Sequence, residues 1–148
     1  MISLVTFAHM LSASELLEIL RQAEAIATRA GEICLEMQMH LNKVRYKSAK
    51  DVVTEADLAS DNYIRTALQS AFPDHAIRTE ENGYSGDSRH LTWIVDPIDG
   101  TVNFSRGMPL WGISMALTDE QGPLLAVCIL PRLKECFTAI RNRGAQLN

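Results

Sequence analysis

Cysteine is scarce in this chain, and what there is does not pair. Cys34, Cys128 and Cys136 are odd in number and far apart, with no Cys-x-x-Cys and no His beside them at ligand spacing. That argues against a disulfide framework and a thiolate metal site, and predicts buried free thiols in a reducing compartment. Long apolar runs are absent too: nothing approaches the roughly 18 residues that cross a bilayer. The stretch from Met1 to Met10 is mildly apolar but has neither a basic n-region nor a cleavage site, so a cytoplasmic protein with no membrane partner is expected. Basic excess is also missing. With 14 Lys and Arg against 18 Asp and Glu, the net charge of −4 offers no basic stripe for nucleic acid. A small anionic substrate stays open, because bound metal ions make a site locally positive. There is no internal repeat, low-complexity tract or interdomain linker.

What is present is an ordinary globular composition, 47% hydrophobic and 22% charged over 148 residues, enough for one domain spanning 1–148. Ser12 and Glu15 form a capping-box pattern. Behind it Leu16, Leu20, Ala23, Ala27, Ala30 and Cys34 recur at alternating spacings of four and three, which predicts a helix to about Leu41. Leu17, Ile19, Ile26, Ile33 and Met37 widen its apolar face. Val44 and Tyr46 then start a short alternating segment. Thr54 and Asp57 give a second start signal, followed by Tyr63, Ile64, Ala67, Leu68 and Ala71 at helical spacing and closed by Pro73.

The second half reads as strand. Ala76 to Thr79 is short and ends on Glu80 and Glu81; Asn82 to His90 has the composition of a solvent loop. Thr92 to Val95 is an apolar strand ending on Asp96. Ile113–Leu117, Leu124–Leu130 and Phe137–Ile140 form a meander, with a hairpin turn at Asp119-Glu120-Gln121-Gly122. The class expected is α+β: two N-terminal helices packed on a mostly antiparallel sheet. The two longer strands are almost wholly apolar, as suits strands covered on both faces.

Carboxylates fall where strands end. Glu80 closes one strand, Asp96 another, and Asp99 follows in a turn with Pro97 and Gly100. Such a cluster repels itself unless protons or cations neutralise it, and oxygen-only donors suit a hard ion such as Mg²⁺. Pro97 stiffens the exit from the strand. Gly100 permits a positive φ or a close ligand. If Gly100-Thr101 opens a helical turn, its N–H groups face an anion, and Thr101 offers a hydroxyl to orient water. Taken alone, Asp-Pro-x-Asp-Gly is equally a solvated tight turn. His40, His75 and His90 read as surface residues, and Trp93 as core.

Four tracts in register carry more. Lys47-Ser48, Asp51-Val52-Val53-Thr54-Glu55-Ala56-Asp57, Thr79-Glu80-Glu81-Asn82-Gly83 and Trp93-Ile94-Val95-Asp96-Pro97-Ile98-Asp99-Gly100-Thr101-Val102-Asn103-Phe104 resemble the inositol monophosphatase family, within the lithium-sensitive, metal-dependent phosphatase superfamily. The order and spacing match over nearly the whole chain. The resemblance implies the N-terminal half of a layered αβαβα fold. It implies Glu80, Asp96 and the Ile98 carbonyl as ligands of a first Mg²⁺, and Asp96 and Asp99 as ligands of a second. Glu80 is also implied in holding a third, weakly bound ion through water. Asp57 and Thr101 become the pair that orients and deprotonates the attacking water, and the Gly100 and Thr101 N–H groups the phosphate cradle. Lys47 and Glu81 stand near the cluster. The chemistry implied is two-metal hydrolysis of a phosphate monoester, with no Ser or Cys nucleophile. Asn103-Phe104 favours a cyclitol or small-alcohol phosphate, with fructose 1,6-bisphosphate and histidinol phosphate as alternatives.

The resemblance has a limit. Chains of the family run about twice this length, and their second half carries a Trp-Asp-x-Ala-Ala-Gly-like tract whose Asp completes the second metal site. Nothing after Asp99 replaces it here, Asp119 lying in a hairpin turn. A truncated or split product is therefore expected, weakly active alone or completed by a C-terminal-half partner or homodimer. The alternative is a non-catalytic remnant that binds metal or phosphate.

Overall fold

The fold is described from a computed structural model, over residues 11–41, 49–80, 83–86 and 91–148, without the side chains of residues 41 and 49–54. The expectations for Val44, Tyr46, Lys47, Glu81, His90 and the Thr54 side chain lie outside this range.

Helix α1 (Ala13–Leu41) starts where the capping pattern places it. The box is reciprocal: the Ser12 N–H donates to Glu15 Oε2 at 2.7 Å, and the Glu15 N–H donates to Ser12 Oγ at 3.3 Å. Its buried stripe is Ile19, Ala23, Ile26, Ala27, Ala30 and Cys34, with Leu16 and Leu20 partly covered. The small residues let the helix lie close to the sheet. A Cβ on Gly31 would stand 2.7 Å from Pro131 Cγ.

Helix α2 (Ala49–Ala71) begins five residues before Thr54. The Thr54 signal is therefore interior, and the sequence reading began the helix too late. A capping box is a local option that a longer helix overrides when residues before it also favour helix.

The strands are β1 (Ala76–Thr79), β2 (Gly83–Ser85), β3 (Thr92–Asp99), β4 (Gly112–Asp119), β5 (Gly122–Leu130), β6 (Glu135–Ile140) and β7 (Ala145–Leu147), with a short helix α3 (Thr101–Ser105) after β3. They form one sheet in the order β2-β1-β3-β4-β5-β6-β7. Among the described residues only β1 and β3 pair in parallel; α2 precedes this pair and packs against both. The α+β expectation holds. Two short edge strands were not expected. β2 lies in the stretch read as a solvent loop, and β7 lies beyond the meander.

The larger correction concerns β3. It does not end at Asp96 but runs to Asp99 through an irregularity: Asp96 pairs with Ser114 and Asp99 with Gly112. Two residues, Pro97 and Ile98, thus face one, Ile113. Proline lacks the N–H a ladder needs, and a bulge is where a strand tolerates it.

Helices α1 and α2 cover one sheet face, α1 over β4, β5 and β6, α2 over β1 and β3. Trp93, Val95, Ile113, Met115, Leu117, Leu125 and Val127 pack beneath them. Among the described residues, no helix is long and apolar enough to cross a membrane.

Candidate active site

The parallel register of β1 and β3 sets the backbones of the first two acidic residues at one level on neighbouring strands. Thr79 stands opposite Val95, so Glu80 and Asp96, the next residue on each chain, leave that pair at the same level. Adjacent strands lie about 4.8 Å apart. Asp96 is half-buried, whereas Glu80 and Asp99 are exposed. Asp96 shares a row with Ser114 on β4 and Cys128 on β5. Asp99 pairs with Gly112, two residues before Ser114 on β4, and burial, with a smaller contribution from the charge of Asp99, raises the Cys128 thiol pKa.

Gly100 turns the chain from strand into helix. Its φ of 87° and ψ of 41° are left-handed, and it stands at the N-cap of α3. A Cβ there would meet the Leu110 carbonyl oxygen at 3.0 Å and Trp111 Cα at 3.3 Å, so glycine is required by conformation and by space. The Phe104 N–H donates to the Gly100 carbonyl at 3.0 Å, closing the first turn and leaving Thr101 exposed at its start.

The tract is held from behind by both long helices. Ser60 of α2, fully buried, donates its hydroxyl to the Pro97 carbonyl at 2.9 Å. Gln38 of α1 donates Nε2 to the carbonyls of Phe104 at 3.0 Å and Met108 at 3.4 Å. Asn103 Nδ2 donates to the Leu110 carbonyl at 2.7 Å, and Phe104 meets Trp111 edge to face with centroids 4.9 Å apart. Asp57 is buried on α2 one turn before Ser60, and α2 touches α3, which carries Thr101.

The donor chemistry fits a hard divalent cation, but the set is small. Among the described residues, no three His, Cys, Asp or Glu side chains are gathered as around a metal. The register brings one carboxylate pair to a common level, with Asp99 and the Ile98 carbonyl in the bulge beside it. Asp119 is committed elsewhere: Arg141 grips both its oxygens, at 2.8 and 3.0 Å, and holds its carboxyl below the usual range. Burial pushes the Cys34 thiol up to about 12 and Cys136 up to about 11, so neither is poised as a nucleophile.

Sequence reasoning missed Ser60 and Gln38. Ser60 left a usable signal, a small polar residue three positions after Asp57 on the face of α2 that buries Ile64. Gln38 left none, since a glutamine near a helix end is ordinarily solvated. His75, read as a surface residue, is instead half-buried. It stacks on Phe72 with centroids 5.2 Å apart and accepts the Trp93 Nε1–H at 3.2 Å through Nδ1.

The family model for the inositol monophosphatase family matches residues 15–148. The "Nus factor SuhB" of Pseudomonas aeruginosa is 42% identical over 127 residues, covering 82% of this chain and 47% of that protein. Inositol monophosphatase 3 of Solanum lycopersicum is 40% identical over 126 residues, with the same two shares. Among solved structures, the inositol monophosphatase from Anabaena superposes with a TM-score of 0.75 at 30% identity, over 90% of this chain and 48% of that one. The native SuhB structure from Bartonella henselae gives 0.78 at 27%, over 88% and 52%. The chain spans about half the length of the curated relatives it matches.

Proposed function

The chain belongs to the inositol monophosphatase family, and on that footing we propose that it carries the carboxylate side of a Mg²⁺-dependent phosphomonoesterase site acting on an inositol phosphate or a related small-alcohol phosphate. The observation that supports this most is the parallel register of β1 and β3, with Thr79 opposite Val95, because it sets Glu80 level with Asp96. In this reading Glu80, Asp96 and the Ile98 carbonyl hold one Mg²⁺, and Asp96 and Asp99 contribute to a second. When bound, the metal supplies positive charge against the phosphate oxygens and Lewis acidity toward water. The protein's share is placement. Asp57 and Thr101 orient the attacking water and accept its proton, and the N–H groups of Gly100 and Thr101 face the phosphate. The same assignment covers fructose 1,6-bisphosphate or histidinol phosphate if the alcohol side of the cleft selects them.

Residues 1–148 alone are proposed to bind Mg²⁺ but to hydrolyse poorly. Asp96 and Asp99 are two carboxylates for an ion that demands near-octahedral geometry, and no third acidic side chain joins them among the described residues. A role limited to metal or phosphate binding is the second reading, favoured by the lack of a third acidic side chain beside Asp96 and Asp99 among the described residues.

Calorimetric titration with Mg²⁺ tests the assignment on the chain, Asp96→Asn and Asp57→Asn. Asp96→Asn is expected to lose most of the binding, and Asp57→Asn much less. Equal losses overturn the roles, and absence of binding to the unaltered chain overturns the site. Phosphate release from inositol 1-phosphate, with Asp96→Asn as the blank, is expected below about 1 s⁻¹, the low end of ordinary turnover. A faster rate overturns the proposed weakness of the second metal position.

A further inference from the structure

We infer that Ser60 is a positioning residue for the Asp96–Thr101 tract: its hydroxyl fixes the Pro97–Ile98 peptide plane, and with it the direction in which the Ile98 carbonyl and the flanking carboxylates are presented. This rests on the reading of that tract as a metal-holding element.

A serine inside a helix ordinarily turns its hydroxyl back onto a carbonyl of its own helix, one turn earlier. Ser60 does otherwise. It is 0% exposed and donates at 2.9 Å to a carbonyl 37 residues away in another element. The target is the weak point of β3. Between Asp96 and Asp99 the ladder with β4 shifts register, so Pro97 and Ile98 stand opposite Ile113 alone. Pro97 has no N–H to lend. Rocking a peptide plane at such an irregularity swings the next carbonyl in the opposite sense. The Ser60 hydroxyl anchors the Pro97 carbonyl from the helix layer.

The Cys34 thiol of α1, buried like Ser60, lies beside it: burial raises that thiol's pKa and its interaction with Ser60 offsets part of the rise. Gln38, one turn further along α1, grips the Phe104 and Met108 carbonyls beyond the motif. The tract is thus pinned before and after Gly100 by side chains of both helices. Asp57 lies one turn before Ser60 on α2, so the same bond sets the height of Asp57 against the turn. Partners that orient ligands from behind in this way typically cost roughly 10- to 100-fold in metal affinity when removed.

The experiment uses Mn²⁺, a hard ion for the same oxygen donors, titrated by electron paramagnetic resonance. The proteins are the unaltered chain, Ser60→Ala, Ser60→Thr, Ile64→Val and Asp96→Asn. Carbonyl ¹³C shifts of labelled Pro97 are recorded without metal. Ser60→Ala is expected to move the Pro97 shift and to weaken Mn²⁺ binding by roughly 10-fold or more. Ser60→Thr, which keeps the hydroxyl, is expected to restore both. Ile64→Val softens the same helix one turn on and is expected to change neither. Mn²⁺ binding by Ser60→Ala equal to that of the unaltered chain overturns the inference. So does an equal loss in Ile64→Val, which would show general loosening. If the unaltered chain and Asp96→Asn bind Mn²⁺ alike, or neither binds it, the metal reading of the tract falls and takes this inference with it.

Discussion

Under α1 and α2 the sheet presents Trp93, Ile113, Met115, Leu117, Leu125 and Val127, each no more than 2% exposed. From these strands and from β6 and β7 its other side presents Ile94, Ser114, Ala116, Ala126, Cys128, Phe137 and Leu147. There Ile94 is 46% exposed, Phe137 40% and Leu147 51%. One row on that side runs Ile94, Ala116, Ala126, Ala139, Ala145 across five strands. The next runs from Asp96 through Ser114 and Cys128 to Phe137 and Leu147. One face is a filled core. The other is a shallow, largely apolar surface whose carboxylate end is the candidate site. The strands were expected to be covered on both faces, yet among the described residues no helix covers the second one. The difference separates a packed core from a candidate site. The covered face holds the fold together, while the proposed metal-holding carboxylates lie at the rim of the open face.

The sharpest test of that separation is a matched pair. Ile113→Ala on the covered face is expected to cost about 2–5 kcal/mol, the range for deleting a buried branched side chain into a packed core. Ile94→Ala, on the strand beside it and facing the other way, is expected to stay within about 1 kcal/mol, because most of what it removes is already wet. Urea denaturation of both variants reads the contrast directly. Comparable losses would mean that the two faces do not differ as described.

Legibility in the sequence follows the same division between local and non-local causes. The α1 start, the Asp119–Gly122 turn and the positive φ at Gly100 were legible because each is decided by a few adjacent residues. The late start given to α2 and the early end given to β3 have one origin. Thr54 and Pro97 look like boundaries locally, and each is overruled, by helix continuing upstream and by pairing with β4. The parallel match of β1 to β3 could not be read from either segment alone, although it sets Glu80 level with Asp96. Strand β2 was hidden by loop-like composition and exists through pairing with β1. The carboxylates stood out in the sequence by residue type and by their place at or near strand ends. The buried groups that hold their backbone, Ser60 and Gln38, did not, since a hydrogen bond spanning 37 or 66 residues leaves no pattern in the chain.

A smaller effect is expected at the edge of the covered face, where Trp93 donates to His75 Nδ1. Burial lowers the His75 pKa, and the charge of Asp74 opposes part of that. In the folded chain the neutral ring is therefore preferred, and the unfolded chain takes up the proton first as pH falls. Stability from this pair is full above about pH 6.5, the ordinary histidine value, and is lost as pH falls through the lower folded value. Thermal midpoints measured between about pH 7.5 and 5 are expected to fall by a few degrees more in the unaltered chain than in His75→Phe, which keeps the stack on Phe72 but does not titrate. An identical slope in both proteins would remove His75 from the account.

The smallest change in stability is expected on the open face, where substitution should alter association instead. Ile94 and Phe137 stand on β3 and β6, four-tenths exposed or more, Ile94 at the head of the alanine row and Phe137 in the row beside it. Exposed apolar surface beyond a few hundred Å² favours association, and a row of small side chains allows a partner surface to approach closely. Ile94→Thr with Phe137→Thr keeps two residues suited to strands while making both polar. Since neither side chain is buried, the unfolding free energy should move by no more than about 0.5 kcal/mol. Sedimentation velocity over a concentration series is expected to show the unaltered chain associating and binding a hydrophobic dye, and the double variant doing both less. The carboxylate rim lies one strand level from Ile94, so Mg²⁺ titration of the variant provides an internal control. Unchanged metal binding with reduced association would show that the apolar part of this face and its acidic end act separately. A monodisperse unaltered chain that binds no dye at high concentration would mean that the open face is not adhesive.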